Sequence, residues 1–283
     1  MLRIAIQAKG RLNEKTMALL ADAGISASVG SRSLIAHAKG FPVDLLLLRD
    51  DDIPQAVAMG TADIGIVGLN EVEEKGVDVT RVLDLGFGGC RLSLAVPREA
   101  DYKGIEWFNG KRIATSYPEI LSRFLKEKSI NAKIHTITGS VEIAPAVGMA
   151  DAIFDIVSSG GTLIQNGLVE VESLLESQAV LIATPGLTPE KQAELDKLCF
   201  RFRSIIQSRG MKYVLMNLPK ASLDEALKVL PGMKSPTILN LADPDWLSVH
   251  VVIPESQLWE RIERLKAIGA EDILVLVLEN IVK

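Results

Sequence analysis

The chain has 283 residues, with 31 Lys and Arg against 36 Asp and Glu, which gives a formal net charge of −5 at pH 7. Hydrophobic residues make up 48% and charged residues 24%, as in folded globular proteins and unlike disordered or low-complexity chains. An acidic chain has no general attraction for nucleic acid or anionic lipid, and no apolar run approaches the roughly 18 residues of a membrane span. We therefore expect a folded protein of two or three domains that binds neither nucleic acid nor membrane.

Both the start of the chain and its cysteines favour a cytoplasmic protein. Residues 1–9 lack the long apolar segment of a secretory signal and are typical of a first strand. Cys90 and Cys199 are too far apart for a zinc site and too few for a disulfide framework. We expect both thiols to be buried.

Two short patterns recur in the same order along the first half of the chain. The tripeptide at 3–5, Arg-Ile-Ala, recurs at 112–114, and Gly-x-Ala-Asp at 60–63 recurs at 148–151. In each copy a strand and a helix follow the first pattern, and a further strand follows the second. This repetition predicts two α/β lobes of one architecture, with parallel strands and covering helices.

The lobe junctions are predicted from a glycine-rich segment and a polar segment. The glycine-rich segment 86–89 leads into the apolar run 92–96, and a polar stretch after Leu168 leads to the strand-like run 179–183. We interpret these segments as two crossings between the lobes. The predicted first lobe comprises residues 1–92 and 178–209, the second comprises 93–177, and a hinged cleft lies between them.

A third domain is predicted over residues 210–283. Thr188 and Pro189 begin a helix that Gly210 ends. The segments beyond it are predicted as a strand at 213–218, a helix at 222–230, strands at 237–241 and 247–253, a helix at 255–268 and a strand at 273–278. This βαββαβ order defines a ferredoxin-like fold. Ser222 with Glu225 fits a capping box for its first helix.

The segment most informative about chemistry is the turn after the strand at 154–157. Its residues are Ser158, Ser159, Gly160, Gly161 and Thr162. Backbone N–H groups and hydroxyls at such a turn bind a phosphate, and glycines let the phosphate approach closely. Asp155, just before the turn, would face a sugar that carries the phosphate. The alternative is an ordinary strand-to-helix turn with a hydroxyl cap. The turn has neither a Walker nor a Rossmann glycine pattern.

Other candidate anion sites follow the early strands. Lys9, Gly10 and Arg11 suit a polyphosphate at a strand end, and a solvated turn is the alternative. Arg49 precedes three aspartates, which makes it either a phosphate clamp beside magnesium-binding acids or part of a surface ion cluster, in which Asp52 caps the next helix. Asn70 ends an apolar run that a buried strand explains equally well. We find no catalytic triad.

Taken in order, these motifs resemble the long form of the ATP phosphoribosyltransferase family of histidine biosynthesis. The resemblance covers essentially the whole chain. It rests on KGRL at 9–12, LLRDDDIP at 47–54, GTADIGIVGLN at 60–70, LGFGGCRLSLA at 85–95, GKRIATSYP at 110–118, DIVSSGGTL at 155–163 and SPTILNLADPDW at 235–246.

The resemblance implies the fold and the activity. Such enzymes have two periplasmic-binding-protein-like lobes, bind Mg²⁺, transfer the phosphoribosyl group of phosphoribosyl pyrophosphate to N1 of ATP, and release pyrophosphate. An ACT-like C-terminal domain binds histidine as an inhibitor, and dimers assemble into hexamers. The resemblance therefore implies a homo-oligomer.

The resemblance also implies residue roles. Arg32 and Arg49 would neutralise the departing pyrophosphate together with Mg²⁺, with Arg32 acting in its own site or in a neighbouring subunit's. Phosphoribosyl pyrophosphate would be held by Glu142 and Asp155 at the ribose and by Ser158, Ser159, Gly160, Gly161 and Thr162 at the 5-phosphate. ATP would lie against Lys9, Gly10, Arg11 and Asn70. Histidine would bind at Asn217, Ser235 and Thr237.

Two other functions fit parts of the sequence. A two-lobed small-molecule receptor or sensor would share the cleft without turnover, although the Ser/Gly turn argues against it. A purely regulatory protein built around the βαββαβ unit would leave the two large lobes unexplained.

Overall fold

The structure is a computed structural model that describes residues 1–27, 34–230 and 235–282. The chain divides into two compact units, Met1–Lys197 and Leu198–Lys283. The strands of the first unit are β1 (Leu2–Gln7), β2 (Ser26–Ala27), β3 (Ile35–Lys39), β4 (Val43–Leu48), β5 (Ile64–Gly68), β6 (Thr80–Asp84), β7 (Cys90–Pro97), β8 (Arg112–Thr115), β9 (Lys133–Thr136), β10 (Ala152–Val157), β11 (Leu168–Ser177) and β12 (Ala179–Ala183). The helices are α1 (Arg11–Asp22), α2 (Ile53–Ala58), α3 (Leu69–Lys75), α4 (Pro118–Glu127), α5 (Gly161–Gln165) and α6 (Pro189–Ser208), which contains the boundary between the units.

The first unit contains two sheets of mixed direction. The first has the order β2-β3-β4-β1-β5-β12-β6, and the second has the order β11-β7-β10-β8-β9. Strands β4, β1 and β5 are parallel, as are β10, β8 and β9, whereas β12 and β7 run antiparallel to their neighbours. The predicted α/β architecture with two sheets is confirmed.

Continuous apolar runs form inner strands of the first sheet, where both faces are covered. Every residue of β12 is buried, and in β5 only Gly68 is partly accessible. Strands buried on both faces show such unbroken apolar runs instead of alternation. In the second sheet Phe154 of β10 packs with Phe108 in the core.

The repeated sequence patterns form the same contact in each sheet. Asp63 accepts a hydrogen bond from the backbone N–H of Arg3 at 2.8 Å, and Asp151 accepts one from the N–H of Arg112 at 2.8 Å. Each arginine also donates to a glycine carbonyl, Arg3 to Gly60 and Arg112 to Gly148, both at 3.0 Å. The aspartate therefore joins the start of a parallel strand to the strand beside it in both copies.

We expect Asp151→Asn to lower the free energy of unfolding by about 1 kcal/mol at pH 7, after allowance for its partial exposure. Hydrogen bonds from Arg112 lower the pKa of Asp151 to about 2. An acid whose pKa is depressed by folding stabilises the protein above its unfolded pKa and loses that effect as pH falls. The difference from the wild type should be largest at pH 7 and should shrink as the pH falls from about 4 to about 2, as measured by urea denaturation. An equal difference at pH 7 and at about pH 2 would contradict this origin.

The second crossing is shorter than predicted. The segment after Leu168, expected as a polar crossing, is the ten-residue strand β11, which pairs with β7. Two register shifts, between Glu170 and Glu172 and between Ser173 and Leu175, interrupt its alternation. Bulges of this kind remove the period-two signal of a strand. The crossing is thereby reduced to Gln178, between β11 and β12.

The second unit ends in the predicted βαββαβ arrangement. Its elements are β13 (Met211–Pro219), α7 (Leu223–Val229), β14 (Thr237–Asn240), β15 (Trp246–Pro254), α8 (Leu258–Ala267) and β16 (Glu271–Val277). The antiparallel sheet order β14-β15-β13-β16 is that of a ferredoxin-like fold. The buried side chains of β13 and β15 pack on both helices.

Helix starts were only partly predicted. Thr188 caps α6 as expected, since its hydroxyl accepts a hydrogen bond from the N–H of Lys191 at 3.4 Å. The capping box at Ser222 and the cap at Asp52 were wrong, because neither side chain bonds to its helix. In both places a turn of 3₁₀ helix precedes the α-helix, and such a turn offers an alternative start.

Candidate functional site

The candidate site residues of the first unit follow the carboxyl ends of parallel strands. Lys9 follows β1, Arg49 follows β4, Asn70 follows β5 and Ser158 follows β10. Carboxyl ends of parallel strands meet at one edge, where open α/β sheets bind their ligands. Three neighbouring cavities occupy this region.

The turn cavity has a volume of about 470 Å³. It is lined by the seven residues predicted to hold phosphoribosyl pyrophosphate, namely Glu142, Asp155, Ser158, Ser159, Gly160, Gly161 and Thr162, and also by Arg11. Glu142 lies 13 positions before Asp155 in the chain, so folding and not local sequence brings the two carboxyl groups together.

The Ser/Gly turn presents backbone donors to this cavity. Gly160 has a φ of +78°, a left-handed conformation that favours glycine. Within the part of the chain that the structure describes, the N–H groups of residues 159–162 donate no hydrogen bond to another protein atom. Turns with successive free N–H groups bind anions. The turn therefore has the geometry of an oxyanion site.

Burial changes the ionisation of Asp155. The carboxyl is half-buried on β10, and its burial raises its pKa to about 6, with a further contribution from the charge of Glu142. Its Oδ1 accepts a hydrogen bond from the N–H of Ile156 at 2.8 Å, which lowers the pKa in part. Among the described residues, no ion pair neutralises this carboxyl group beside the turn. Positive charge or hydroxyl donors on a ligand would stabilise it.

The central cavity, of about 390 Å³, adjoins the turn cavity. Among its lining residues are Arg11, Asn70, Glu71, Cys90 and Ser158. Arg11 and Ser158 line both cavities, so a ligand can extend from one to the other. The expectation that Cys90 is buried was wrong, because it is partly accessible at the end of the first crossing.

A buried polar network forms one wall of the central cavity. Asn70 donates from Nδ2 to Oε1 of Glu71 at 2.9 Å, and the hydroxyl of Tyr117 donates to the same oxygen at 3.0 Å. Ser177 donates from Oγ to Oδ1 of Asn70 at 2.9 Å. A Cβ at Gly68 would lie 2.3 Å from that Oδ1, so Gly68 leaves space for the amide.

Burial in this network also raises the pKa values of Glu71 and Tyr117. Desolvation raises the pKa of Glu71 to about 7, against the hydrogen bond from Tyr117, and the charges of Asp50 and Asp51 raise it further. Burial and the neighbouring Glu71 raise the pKa of Tyr117. Glu71 and Tyr117 come from α3 and the start of α4, so this network connects the two sheets.

The arginine cavity, of about 490 Å³, lies on the other side of Glu71. Its lining includes Arg49, Asp50, Asp51, Lys75 and Tyr117. The Arg49 side chain is 73% exposed, and its Nε forms an ion pair with Oδ1 of Asp51 at 3.1 Å. Hydrogen bonding and charge from Asp51 raise the pKa of this guanidinium. An arginine is cationic in any case, and its exposure leaves it accessible to an anion.

The structure does not bring every predicted residue to these cavities. Lys9 is exposed and lines none of the three, and Gly10 precedes α1 with a φ of +104°. Arg32 lies outside the described residues. Glu71 and Tyr117 were missed by sequence analysis, since nothing local distinguishes a buried acid on α3 from its exposed neighbours.

The three residues predicted to bind histidine lie in the second unit. Asn217 is on β13, where its Nδ2 donates to Oδ2 of Asp272 at 3.0 Å. Thr237 begins β14, and Ser235 precedes it; both are exposed. Strand β15 separates β13 from β14.

Comparison with known proteins identifies the family of this chain. The sequence profile for ATP phosphoribosyltransferase matches residues 49–204, and the profile for the HisG C-terminal domain matches residues 208–280. The chain belongs to the ATP phosphoribosyltransferase family. ATP phosphoribosyltransferases of Parabacteroides distasonis and Bacteroides thetaiotaomicron are 59% and 55% identical to it over 282 residues, covering 100% of each chain.

Solved structures agree with the fold. The ATP phosphoribosyltransferase (HisG:HisZ) complex of Thermotoga maritima matches with a TM-score of 0.63 and 30% identity, over 71% of this chain and 98% of that one. A putative periplasmic sulfonate-binding protein of Methylobacillus flagellatus matches with a TM-score of 0.50 and 17% identity, over 71% of this chain and 66% of that one. The predicted resemblance of the lobes to periplasmic binding proteins is confirmed at the level of the fold.

Membership of the ATP phosphoribosyltransferase family makes the chain a transferase of histidine biosynthesis. A receptor or sensor without turnover is not favoured, because full-length relatives at high identity are enzymes. Across the described residues, no helix combines the length and apolar character needed to cross a lipid bilayer.

Proposed function

We propose that the chain transfers the phosphoribosyl group of phosphoribosyl pyrophosphate to N1 of ATP and releases pyrophosphate, with the reaction centre between the turn cavity and the central cavity. The observation that carries this assignment is the convergence of two carboxyl groups and five turn residues on one cavity. The turn takes the 5-phosphate on its N–H groups and hydroxyls. Glu142 and Asp155 take the ribose hydroxyls.

ATP occupies the central cavity in this proposal. Arg11 lines both cavities and so lies where the nucleotide meets the sugar. Asn70 presents a fixed carboxamide, held by Glu71 and Ser177. Lys9 and Gly10 remain proposed on the sequence motif that they share with Arg11.

The reaction needs little acid–base catalysis. Adenine N1 has a free lone pair, so no general base is required to activate it. The barrier lies in separating a cationic ribose from pyrophosphate, and preorganised charges lower it. The carboxylate of Asp155 stabilises the sugar cation, while Arg49, assisted by Arg32, neutralises the departing pyrophosphate.

Members of this family use a divalent metal ion, and we propose Mg²⁺. Among the described residues, no group of three or more His, Cys, Asp or Glu side chains is arranged to hold a metal. Mg²⁺ commonly binds through substrate phosphates and only one or two carboxylates. Glu142 and Asp155, which line the turn cavity, have suitable oxygens, and the ion would offset charge on the pyrophosphate.

An assay of pyrophosphate release tests the function. The purified protein with ATP, phosphoribosyl pyrophosphate and Mg²⁺ should release pyrophosphate, and omission of any one of the three should stop it. Release that does not require ATP would contradict the assignment. Tight binding of either substrate without release would favour a receptor.

The C-terminal domain is proposed to bind histidine as a feedback inhibitor at Asn217, Ser235 and Thr237. We expect Asn217→Ala to raise the inhibition constant for histidine about tenfold or more, since the loss of one hydrogen bond to a charged ligand has that effect. Activity without histidine should stay unchanged. The matched control is Asn240→Ala, because Asn240 is an exposed asparagine of the same sheet. Unaltered inhibition in Asn217→Ala would contradict the site.

We also propose that the chain is a cytoplasmic homo-oligomer, with dimers assembling into hexamers. The supporting feature is apolar surface on the outer strands of the second unit. Ile238 and Leu239 of β14 and Leu274 and Leu276 of β16 are 41–57% exposed. Exposed apolar edge strands of this kind commonly mark interfaces. The lobe boundaries at residues 92 and 177, and a regulatory domain from residue 210, remain part of this proposal.

A further inference from the structure

Glu71 is a buried acid that the proposed reaction does not use. Glu71 is only 8% exposed, although it lines both the central cavity and the arginine cavity. One oxygen, Oε1, accepts hydrogen bonds from Nδ2 of Asn70 at 2.9 Å and from the hydroxyl of Tyr117 at 3.0 Å. A buried carboxyl group is unfavourable unless it is hydrogen-bonded, so this arrangement requires both donors.

The same bonds determine the orientation of Asn70. Its Oδ1 accepts from Ser177 and its backbone N–H donates to the Ser177 hydroxyl, at 2.9 and 3.0 Å. With Nδ2 bound to Glu71, both ends of the carboxamide are fixed. Without Glu71, only the weaker bond to the Tyr117 oxygen at 3.2 Å would hold Nδ2. The amide would then be free to take other rotamers at the cavity wall.

Glu71 also reaches across the boundary between the two sheets. It lies on α3, beside β5 of the first sheet, while Tyr117 precedes α4 of the second. Three residues further along α3, Glu74 accepts hydrogen bonds from the N–H groups of Glu119 and Ile120 at 2.9 and 3.0 Å. Two acids of α3 therefore bind the start of α4. Glu71 lines both the central and the arginine cavity, whereas Glu74 lines only the arginine cavity.

We propose that Glu71 is a positioning residue for nucleotide binding, which fixes the Asn70 carboxamide and holds the start of α4 against α3 through Tyr117. This inference rests on the proposed role of Asn70 in binding ATP. Either protonation state of the carboxyl leaves Oε1 as an acceptor. A glutamine therefore replaces the function of Glu71, and an alanine does not.

The experiment compares Glu71→Ala, Glu71→Gln, Asn70→Ala and the Asn70/Glu71 double alanine variant in steady-state kinetics. Glu71→Ala should raise KM for ATP about tenfold, the effect of losing one buried hydrogen bond to an acid, with KM for phosphoribosyl pyrophosphate within about twofold of the wild type. Glu71→Gln should recover most of the loss. Because Glu71 acts through Asn70, the double variant should bind ATP no worse than Asn70→Ala.

The controls separate positioning from general stability. Glu73→Ala, on the same helix but exposed, should leave both KM values unchanged. Tyr117→Phe removes one donor to Glu71 and the weaker acceptor of Asn70 Nδ2, and it should raise KM for ATP about threefold. This variant keeps the test available if Glu71→Ala does not fold. A melting temperature reduced without a change in KM for ATP would overturn the inference, as would multiplicative effects in the double variant.

Failure of the underlying site has a different signature. If Asn70→Ala leaves KM for ATP unchanged, Asn70 does not bind ATP, and both the proposed nucleotide site and this inference are overturned. If Asn70→Ala raises KM for ATP and Glu71→Ala does not, only the positioning role is overturned.

Discussion

Asp155→Asn should lower kcat/KM for phosphoribosyl pyrophosphate about 100-fold while making the protein more stable at pH 7. The activity falls because a charged acceptor of ribose hydroxyls is lost, each such bond being worth about 1.5–3 kcal/mol, and because the sugar cation loses a neighbouring negative charge. Initial rates at varied phosphoribosyl pyrophosphate measure this loss.

The gain in stability follows from the raised pKa. Burial moves the pKa of Asp155 from 3.8 to about 6, so the folded state binds the proton more tightly than the unfolded chain. An acid with a raised pKa loses stability as pH rises from about 4 to about 6. Asparagine removes this loss, so the free energy of unfolding at pH 7 should rise by up to about 3 kcal/mol.

Asp151→Asn is the matched control for this variant. Asp151 directly precedes β10 and Asp155 lies on it. The pKa of Asp151 is lowered to about 2, whereas that of Asp155 is raised. The two asparagine variants should therefore shift stability in opposite directions in urea denaturation at pH 7. If Asp155→Asn keeps full activity, Asp155 does not contact the sugar. If the Asp155→Asn protein is less stable than the wild type at pH 7, burial is not what raises the pKa of Asp155.

Arg49→Ala should lower kcat about 100- to 1,000-fold, as the loss of one preorganised charge at a leaving oxyanion does. Its melting temperature should stay within about 1 °C of the wild type, because the side chain is 73% exposed and its ion pair with Asp51 is at the surface. Arg49→Lys should recover part of the activity, since a lysine keeps the charge but cannot bind two oxygens in a fork. Product release and thermal melting measure the two effects.

Arg81→Ala is the control for a surface arginine. Arg81 pairs with Asp84 and is 47% exposed, and it lines none of the three cavities described above. It should keep normal turnover. An Arg49→Ala enzyme with wild-type kcat would exclude a role in pyrophosphate departure, and an unfolded one would show a structural role.

Local sequence predicts a strand of this fold where its hydrophobic pattern is uninterrupted along the strand. Strand β12 is an unbroken apolar run that begins and ends where expected. The turn after β10 was predicted because its glycines permit backbone conformations that other residues avoid and its hydroxyls favour turns. Strand β11 was missed because its two bulges break the alternation that identifies a strand.

The site residues that escaped prediction depend on contacts distant in sequence. Glu71 is 46 positions from Tyr117 and 106 from Ser177, so their network arises only when the sheets are in place. In sequence, residues 70–75 form a polar helix with four charges, typical of a solvated surface. Burial raises the pKa of one of these residues, Glu71. No local sequence pattern indicates that burial.

The two crossing segments between the sheets are bonded to each other. Ala179 donates to the carbonyl of Phe87 at 2.9 Å, and Leu85 donates to the carbonyl of Ala179 at 3.0 Å. Because the segments are joined side by side, a change in the angle between the two sheets has to move both segments together. The central cavity is lined by residues of both sheets, and the turn cavity by residues of the second sheet and by Arg11 of α1, the helix that follows β1 of the first. In the proposed complex the nucleotide and the sugar would therefore each favour an angle that closes the same two walls. Such a shared angle is a physical basis for each substrate to strengthen the binding of the other.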